Sequence, residues 1–185
     1  MRIVAGMQRG RKLTTLTGTE VRPTGDRVRE AIFNALGSLG VVEGAQVLDL
    51  FAGSGALGLE AISRGAQHVT FVDSSPKALE VVRANIAACE VAALCTVIRS
   101  DATAHLGQMI RSYDLALLDP PYEFDGWAEL LRGLDAHTLV IESNRQIDPP
   151  NGFEVLRQRR YGGTVVTVVS RSGRSPRDPA NSEDP

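Results

Sequence analysis

The sequence predicts an α/β protein: a mostly parallel sheet of seven strands with helices on both faces, closed by an antiparallel hairpin at its C-terminal end. Three observations predict it. From residue 46 onward, short apolar β-rich runs alternate with segments of helical period. The first of those runs opens into a glycine-rich turn that leads directly into a helix. Near the end, Gly162-Gly163 separates two β-rich runs, the signal of a two-residue hairpin turn.

The elements follow in order. Residues 2–16 read as a short basic hairpin or arm, with Gly6 and Gly10 as turn residues. Pro23-Thr24-Gly25-Asp26 punctuates the chain, and Asp26 is expected to cap a helix through about Leu39, with Val28, Ile32, Ala35 and Leu36 at helical spacing. Strands are expected at Gln46–Phe51, His68–Asp73, Cys95–Ile98, Leu115–Asp119 and Thr138–Glu142. Helices are expected at Ala56–Arg64, Ser75–Ala88, near Ala102–Ile110, and at Gly126–Gly133. Pro76 falls in the first turn of its helix, where a missing N–H costs least. Phe153–Tyr161 and Thr164–Ser170 form the closing hairpin. The divisions are an N-terminal extension over 1–24, one α/β domain over 25–170, and a tail over 171–185 without apolar material, expected to be disordered.

Composition sets outer bounds. Among 185 residues, 43% are hydrophobic and 23% charged, which suits one soluble domain with a sizeable core. No apolar run approaches the roughly 20 residues of a membrane span, and the N-terminus lacks the apolar stretch of a secretory signal. Cys89 and Cys95 make no disulfide framework and read as free thiols of a reducing compartment. The expectation is a cytoplasmic monomer with no membrane association. His68, His105 and His137 show no ligand spacing, so no metal is expected. Net charge is −2, but residues 1–30 carry +4, residues 31–156 carry −9 and residues 157–177 carry +6. Basic ends on an acidic middle suit a polyanion gripped from two sides.

The densest signal is Val47-Leu48-Asp49-Leu50-Phe51-Ala52-Gly53-Ser54-Gly55-Ala56-Leu57-Gly58. Gly53, Gly55 and Gly58 satisfy the dinucleotide fingerprint. Asp49 counts against a pyrophosphate: a carboxylate at the end of that strand would repel the anion and favour a cation. S-adenosylmethionine carries an ammonium and a sulfonium. Asp73 ends the second strand, placed to accept from ribose hydroxyls, and Asp101 ends the third, placed to accept from an adenine amine. The bland alternative for each acid is a turn or helix cap.

The fourth strand opens into Asp119-Pro120-Pro121-Tyr122. An amine on an aromatic base is a poor nucleophile because its lone pair is delocalised. The Asp119 carboxylate and the Pro120 carbonyl can each take one of its N–H groups, and consecutive prolines stiffen the backbone that presents them. Tyr122 offers a face on which the base can stack, worth about 1–3 kcal/mol. The bland reading is a Pro-Pro turn with Asp as turn former.

With these motifs in place, the chain resembles the class I S-adenosylmethionine-dependent methyltransferases, whose fold is Rossmann-like, and within them the RsmD family of small-subunit rRNA guanine-N2 methyltransferases. The resemblance runs from Arg2 to about Ser170. Two stretches point to that family: Arg2-Ile3-Val4-Ala5-Gly6 with Arg9-Gly10-Arg11-Lys12-Leu13, and Arg22-Pro23-Thr24-Gly25-Asp26-Arg27-Val28-Arg29-Glu30-Ala31-Ile32-Phe33-Asn34. The resemblance implies a cofactor site of Asp49, Phe51, Gly53, Ser54, Gly55, Asp73, Asp101 and Ala102, with S-adenosylhomocysteine as product. It implies that Asp119, Pro120, Pro121 and Tyr122 hold the target guanine. It places Arg9, Arg11, Lys12, Arg22, Arg27 and Arg29 toward RNA, the partner being 16S rRNA in the small ribosomal subunit or its assembly intermediate. A DNA adenine-N6 methyltransferase, a nicotinamide-dependent dehydrogenase and a non-catalytic RNA-binding module are the rival readings.

Overall fold

The computed structural model describes residues 1–16, 25–107 and 112–173. Seven strands form one sheet: β1 (Gln46–Leu50), β2 (His68–Asp73), β3 (Cys95–Arg99), β4 (Tyr113–Leu118), β5 (Ala136–Ser143), β6 (Phe153–Tyr161) and β7 (Thr164–Arg171). Their order across the sheet is β3-β2-β1-β4-β5-β7-β6. The pairings β1–β2, β1–β4, β2–β3 and β4–β5 are parallel, while β7 is antiparallel to both β5 and β6. The strand order reverses beside β1, so the loops after β1, β2 and β4 crowd one crevice at the carboxyl edge.

Strand alternation divides the core. Val47, Leu115, Leu117, Val140, Val166 and Val168 face one layer of helices: α1 (Asp26–Ser38), α2 (Ala56–Ser63) and α3 (Pro76–Cys89). Leu48, Leu50, Ala116, Leu118, Leu139 and Ile141 face the other, with α4 (Ala102–Leu106) and α5 (Trp127–Gly133). Each fully buried aliphatic side chain contributes about 1.5–3 kcal/mol. Burial on both faces explains why these strands read as continuous apolar runs.

The seven strands and five helices match the sequence reading, with shifts at the ends. β4 and β5 each begin two residues earlier than expected, because Tyr113 pairs with Ala136 in the parallel ladder despite their polar surroundings. A 3₁₀ turn at Ala92–Leu94 was not foreseen. Asp26 is not the cap of α1: Gly25 holds that position, and Asp26 is the first helical residue, its carboxylate paired with Arg29 at 3.0 Å. The last strand runs one residue past the expected domain end, to Arg171, and the rest of the expected tail beyond residue 173 lies outside the described residues. Residues of the expected α4 beyond 107 lie outside them too.

The arm closes as a small hairpin, with an antiparallel bridge between Arg2 and Lys12. Ile3 and Leu13 join the main core. Gly6 is held at φ +83°, and a Cβ there would fall 1.7 Å from the Ser63 carbonyl oxygen at the end of α2. Only glycine lets the arm approach that closely. Glu60 on α2, fully buried, is the anchor: its carboxylate accepts from the Val4 amide at 2.8 Å and the Ala5 amide at 3.0 Å. It also pairs with Arg64 at 2.8 Å and Arg29 at 3.5 Å.

This corrects one expectation. Arg29 does not face RNA: it is fully buried, donates to the Arg2 carbonyl and Asp26, and balances Glu60. Its place in the helical period, beside Ile32, Phe33 and Leu36, turns it inward. Removing Glu60 would take away the buried counter-charge of that guanidinium and leave it the half-exposed Asp26. Glu60→Ala is therefore expected to lower stability by about 3–5 kcal/mol, read as a fall in the urea unfolding midpoint at neutral pH.

Candidate active site

Four carboxylates arrive at the carboxyl edge by strand geometry alone. Asp49 is the penultimate residue of β1, Asp73 the last of β2, Asp119 follows β4, and Glu142 is the penultimate residue of β5. All four line one cavity of about 380 Å³, together with Gly53 and Tyr122. That volume lies in the ~300–1,000 Å³ range of small-molecule sites.

The glycine loop is held from two sides. The Gly53 amide donates to Asp73 Oδ2 at 2.9 Å, and the Ser75 amide donates to Asp73 Oδ1 at 2.8 Å. The Gly58 amide donates to Asp49 Oδ2 at 2.9 Å. A Cβ on Gly58 would lie 2.4 Å from the Phe71 ring, so the third glycine of the motif serves close packing of α2 on β2. Phe51, at the turn, has φ +67°, a strained conformation for a residue with a side chain.

Asp49 is only 2% exposed. Burial pushes its carboxyl up to about 8; the Gly58 amide opposes this, and the charges of Asp119 and Asp73 add to it. The folded pKa lies above the unfolded value, so the folded chain holds a proton that the unfolded chain releases. The contribution of Asp49 to stability therefore falls as pH rises from about 4 to about 8. A bound cation would offset the cost of ionising Asp49. A bound phosphate would raise it.

The Asp119–Tyr122 segment is braced. The Phe124 amide donates to the Pro121 carbonyl at 2.9 Å. The Arg145 guanidinium donates to the Tyr122 and Phe124 carbonyls at 3.4 and 3.1 Å. The Tyr122 hydroxyl lies 3.3 Å from Thr164 Oγ1 on β7. Phe124 stacks edge-on against Phe51 and against Trp127, each pair with ring centroids 5.3 Å apart. The glycine loop and the proline loop thus share one aromatic ladder, each pair worth about 0.5–1.5 kcal/mol beyond its buried area.

The cavity wall includes Asp49, Phe51, Gly53, Ser54, Asp73, and all of Asp119–Tyr122. Gly55 stands behind it, in the left-handed conformation at the start of α2. Asp101 and Ala102 do not join the wall. Asp101 caps α4, accepting from the Thr103 amide at 2.9 Å, the Ala104 amide at 3.3 Å and the Thr103 hydroxyl. Those bonds, the Thr103 hydroxyl first, hold its carboxyl below the usual range. Ala102 is buried against the α5 side of the sheet. Arg9, Arg11, Lys12 and Arg27 are exposed, Arg11 pairing with Glu90 at 3.2 Å. Arg22 lies outside the described residues.

Sequence reasoning missed three contributors. Glu142 had the same signal as the other acids, the end of a strand. Met1, Thr15 and Leu16 bring the arm into the cavity wall, with no local signal. Asn85, 1% exposed on α3, accepts from the Thr14 amide at 2.8 Å and donates to the Thr14 and Ser54 carbonyls, both at 2.9 Å. An amide on the buried face of a helix was its available sign.

This sheet order, with a glycine loop after β1 and a ligand cavity at the carboxyl edge, defines a Rossmann-like class I methyltransferase fold. The chain belongs to the RsmD family of methyltransferases: the family model described as conserved hypothetical protein 95 matches residues 1–170. It is 38% identical to ribosomal RNA small subunit methyltransferase D of Haemophilus influenzae over 174 residues, 88% of this chain and 89% of that one. It is 41% identical to the Escherichia coli protein of the same name over 145 residues, 78% of this chain and 68% of that one. Among solved structures it is similar to yhhF of Escherichia coli, to which methyltransferase activity is ascribed, with TM-score 0.81 and 32% identity over 92% of this chain and 97% of that one.

Two outcomes are expected. The ratio of wild-type to Asp49→Asn affinity for S-adenosylmethionine, measured by calorimetry, should rise by up to about tenfold per pH unit and level off above about pH 8. The ligand's own ammonium titration cancels in that ratio. Asn85→Ala should weaken cofactor binding and free the arm together, the latter read as faster proteolysis within residues 1–16, because one carboxamide serves both.

Proposed function

We propose that the protein transfers a methyl group from S-adenosylmethionine to the exocyclic N2 amine of one guanine in 16S rRNA, acting in the cytoplasm on the small ribosomal subunit or its assembly intermediate. The observation that carries this is the opening of Asp119-Pro120-Pro121-Tyr122 onto the same cavity as Asp49 and Gly53. Small-subunit rRNA as the substrate is supported by the names of the Haemophilus influenzae and Escherichia coli relatives. Guanine N2 rests on the family resemblance, since adenine N6 would suit the same clamp.

The residues fit the cofactor. Buried Asp49 gains from a cation, the acids around it add negative potential, and Gly53 leaves the loop backbone open to a close approach. Asp73 retains acceptor capacity on both oxygens beside its two amide bonds. S-adenosylmethionine supplies an electrophilic methyl group on a sulfonium.

The chain's own residues prepare the amine. The guanine leaves its stack to reach the cavity. Tyr122 stacks on the ring. Asp119 and the Pro120 carbonyl each accept one N–H, which favours the pyramidal nitrogen and aims its lone pair at the methyl carbon. A hydrogen bond to the charged group contributes about 1.5–3 kcal/mol, and alignment of the reactants up to ~7–11 kcal/mol. As the N–C bond forms and the C–S bond breaks, the amine becomes cationic and acidic, and Asp119 takes its proton late. An ordinary Asp is too weak a base to remove it earlier. The transfer as written needs no metal.

Asp119→Ala is expected to abolish methyl transfer while S-adenosylhomocysteine binding stays within a few fold. Normal turnover in that variant would end the clamp model. Tritium transfer to rRNA or unmodified subunits, set against duplex DNA, separates the proposal from the adenine-N6 rival. Competition between NADH and S-adenosylhomocysteine, followed through Trp127 fluorescence, separates it from a dehydrogenase.

A further inference from the structure

β6 is the outermost strand, and every residue from Glu154 to Arg160 is exposed. Its parallel sense carries its end, Tyr161, to the carboxyl edge of the sheet, where the Gly162-Gly163 turn meets Thr164. Thr164 is the residue that contacts the Tyr122 hydroxyl at 3.3 Å. The end of β6 therefore adjoins the base clamp.

Between β6 and α1 runs a shallow groove. Ala31 and Ala35 form one wall, Arg157, Arg159 and Tyr161 the other, and Val166 and Val168 the floor. The small alanines keep it open. Arg157 and Arg159 pair with Val168 and Val166 in the β6–β7 register, so both arginines stand on the α1 face of the sheet. Arg27 lies one helical turn before Ala31 on the same stripe of α1 and is exposed. Among the described residues none of these three arginines is held in an ion pair. The nearby acids of α1 are directed elsewhere: Asp26 pairs with Arg29, and Glu30 lies one turn before Asn34, on the flank that meets Arg64.

We infer that this α1–β6 groove binds the sugar-phosphate backbone of the RNA strand that flanks the target base, with Arg157 and Arg159 as its phosphate contacts and Arg27 at its inner end. The inference rests on the RNA reading of the substrate. The charge is positive and unpartnered, the groove is narrow with an apolar floor, and it leads to Tyr122. A flipped base in the cavity leaves its flanking phosphates at the rim, on this line. Tyr161 at the inner end offers a ring to a neighbouring base.

The test is the double variant Arg157→Ala/Arg159→Ala, assayed on naked 16S rRNA and on unmodified subunits across a salt series. KM for naked rRNA is expected to rise about tenfold, and its log–log salt dependence to flatten by about two, one per lost phosphate contact. The kcat at saturation and S-adenosylhomocysteine affinity should not change. Arg132→Ala, an exposed arginine on α5, should alter none of these. Unchanged KM and salt dependence, in an enzyme whose wild type methylates rRNA, would overturn the groove. An effect confined to assembled subunits would overturn it in favour of a protein partner. A wild type that transfers nothing to rRNA would instead remove the functional reading beneath it. If the variant failed to fold, ultraviolet crosslinking of the wild type to rRNA decides: adducts within residues 157–161 support the groove, and their absence sinks it.

Discussion

The hydrogen bond from the Gly58 amide to the Asp49 carboxylate, 2.9 Å long and buried, ties the first strand to the helix that follows it. It also fixes a carboxyl group where its charge is costly. Two further acids, Asp73 and Asp119, increase that cost because β2 and β4 flank β1 in parallel and end at the same edge. A chain selected for stability alone would not gather acids at the end of its central strand. Their concentration makes sense when a cation completes the site. The same potential disfavours a pyrophosphate, which is why a glycine motif shared with dinucleotide enzymes takes a different ligand here.

The site is one mechanical unit. Phe51 packs on Phe124, so the glycine loop and the Asp119–Tyr122 loop cannot shift independently. Asn85 bonds both the arm and the glycine loop, and Glu60 ties the arm to α2. In-line transfer between two bound molecules needs both held in one frame, since a misplacement of about 1 Å can cost 100-fold in rate. Shared side chains supply that frame without a separate domain contact.

Much of this was legible in the sequence because it depended on local signals. Parallel strands buried on both faces announce themselves as apolar runs, and a polar residue at the end of such a run has the carboxyl edge as its place. That logic located Asp49, Asp73 and Asp119. It brought Asp101 to the end of the third strand as well, where the carboxylate also caps α4 through the Thr103 and Ala104 amides. The resemblance placed Arg29 toward RNA, but its helical phase puts it under the arm, fully buried beside Glu60. Glu142 carried the right signal and was passed over. Asn85 and the entry of Met1, Thr15 and Leu16 into the cavity depend on contacts between segments more than thirty residues apart, which no local pattern encodes.

The division of charge follows from what must enter the cavity and what must stay out. An acidic pocket stabilises a sulfonium and an ammonium but repels a phosphate chain. An RNA strand can therefore deliver only its base to such a pocket, while its phosphates remain at the rim, where opposite charge must hold them. Acidic centre and basic ends are thus complementary parts of one design rather than separate traits, and a net charge of −2 conceals both. A uniformly basic surface would bind the polyanion at the expense of the cation. With the charges separated along the chain and rejoined by the fold, the proposed ligands would each meet their own sign: the cation among the carboxylates at the strand ends, the polyanion among arginines on α1, the arm and the last hairpin.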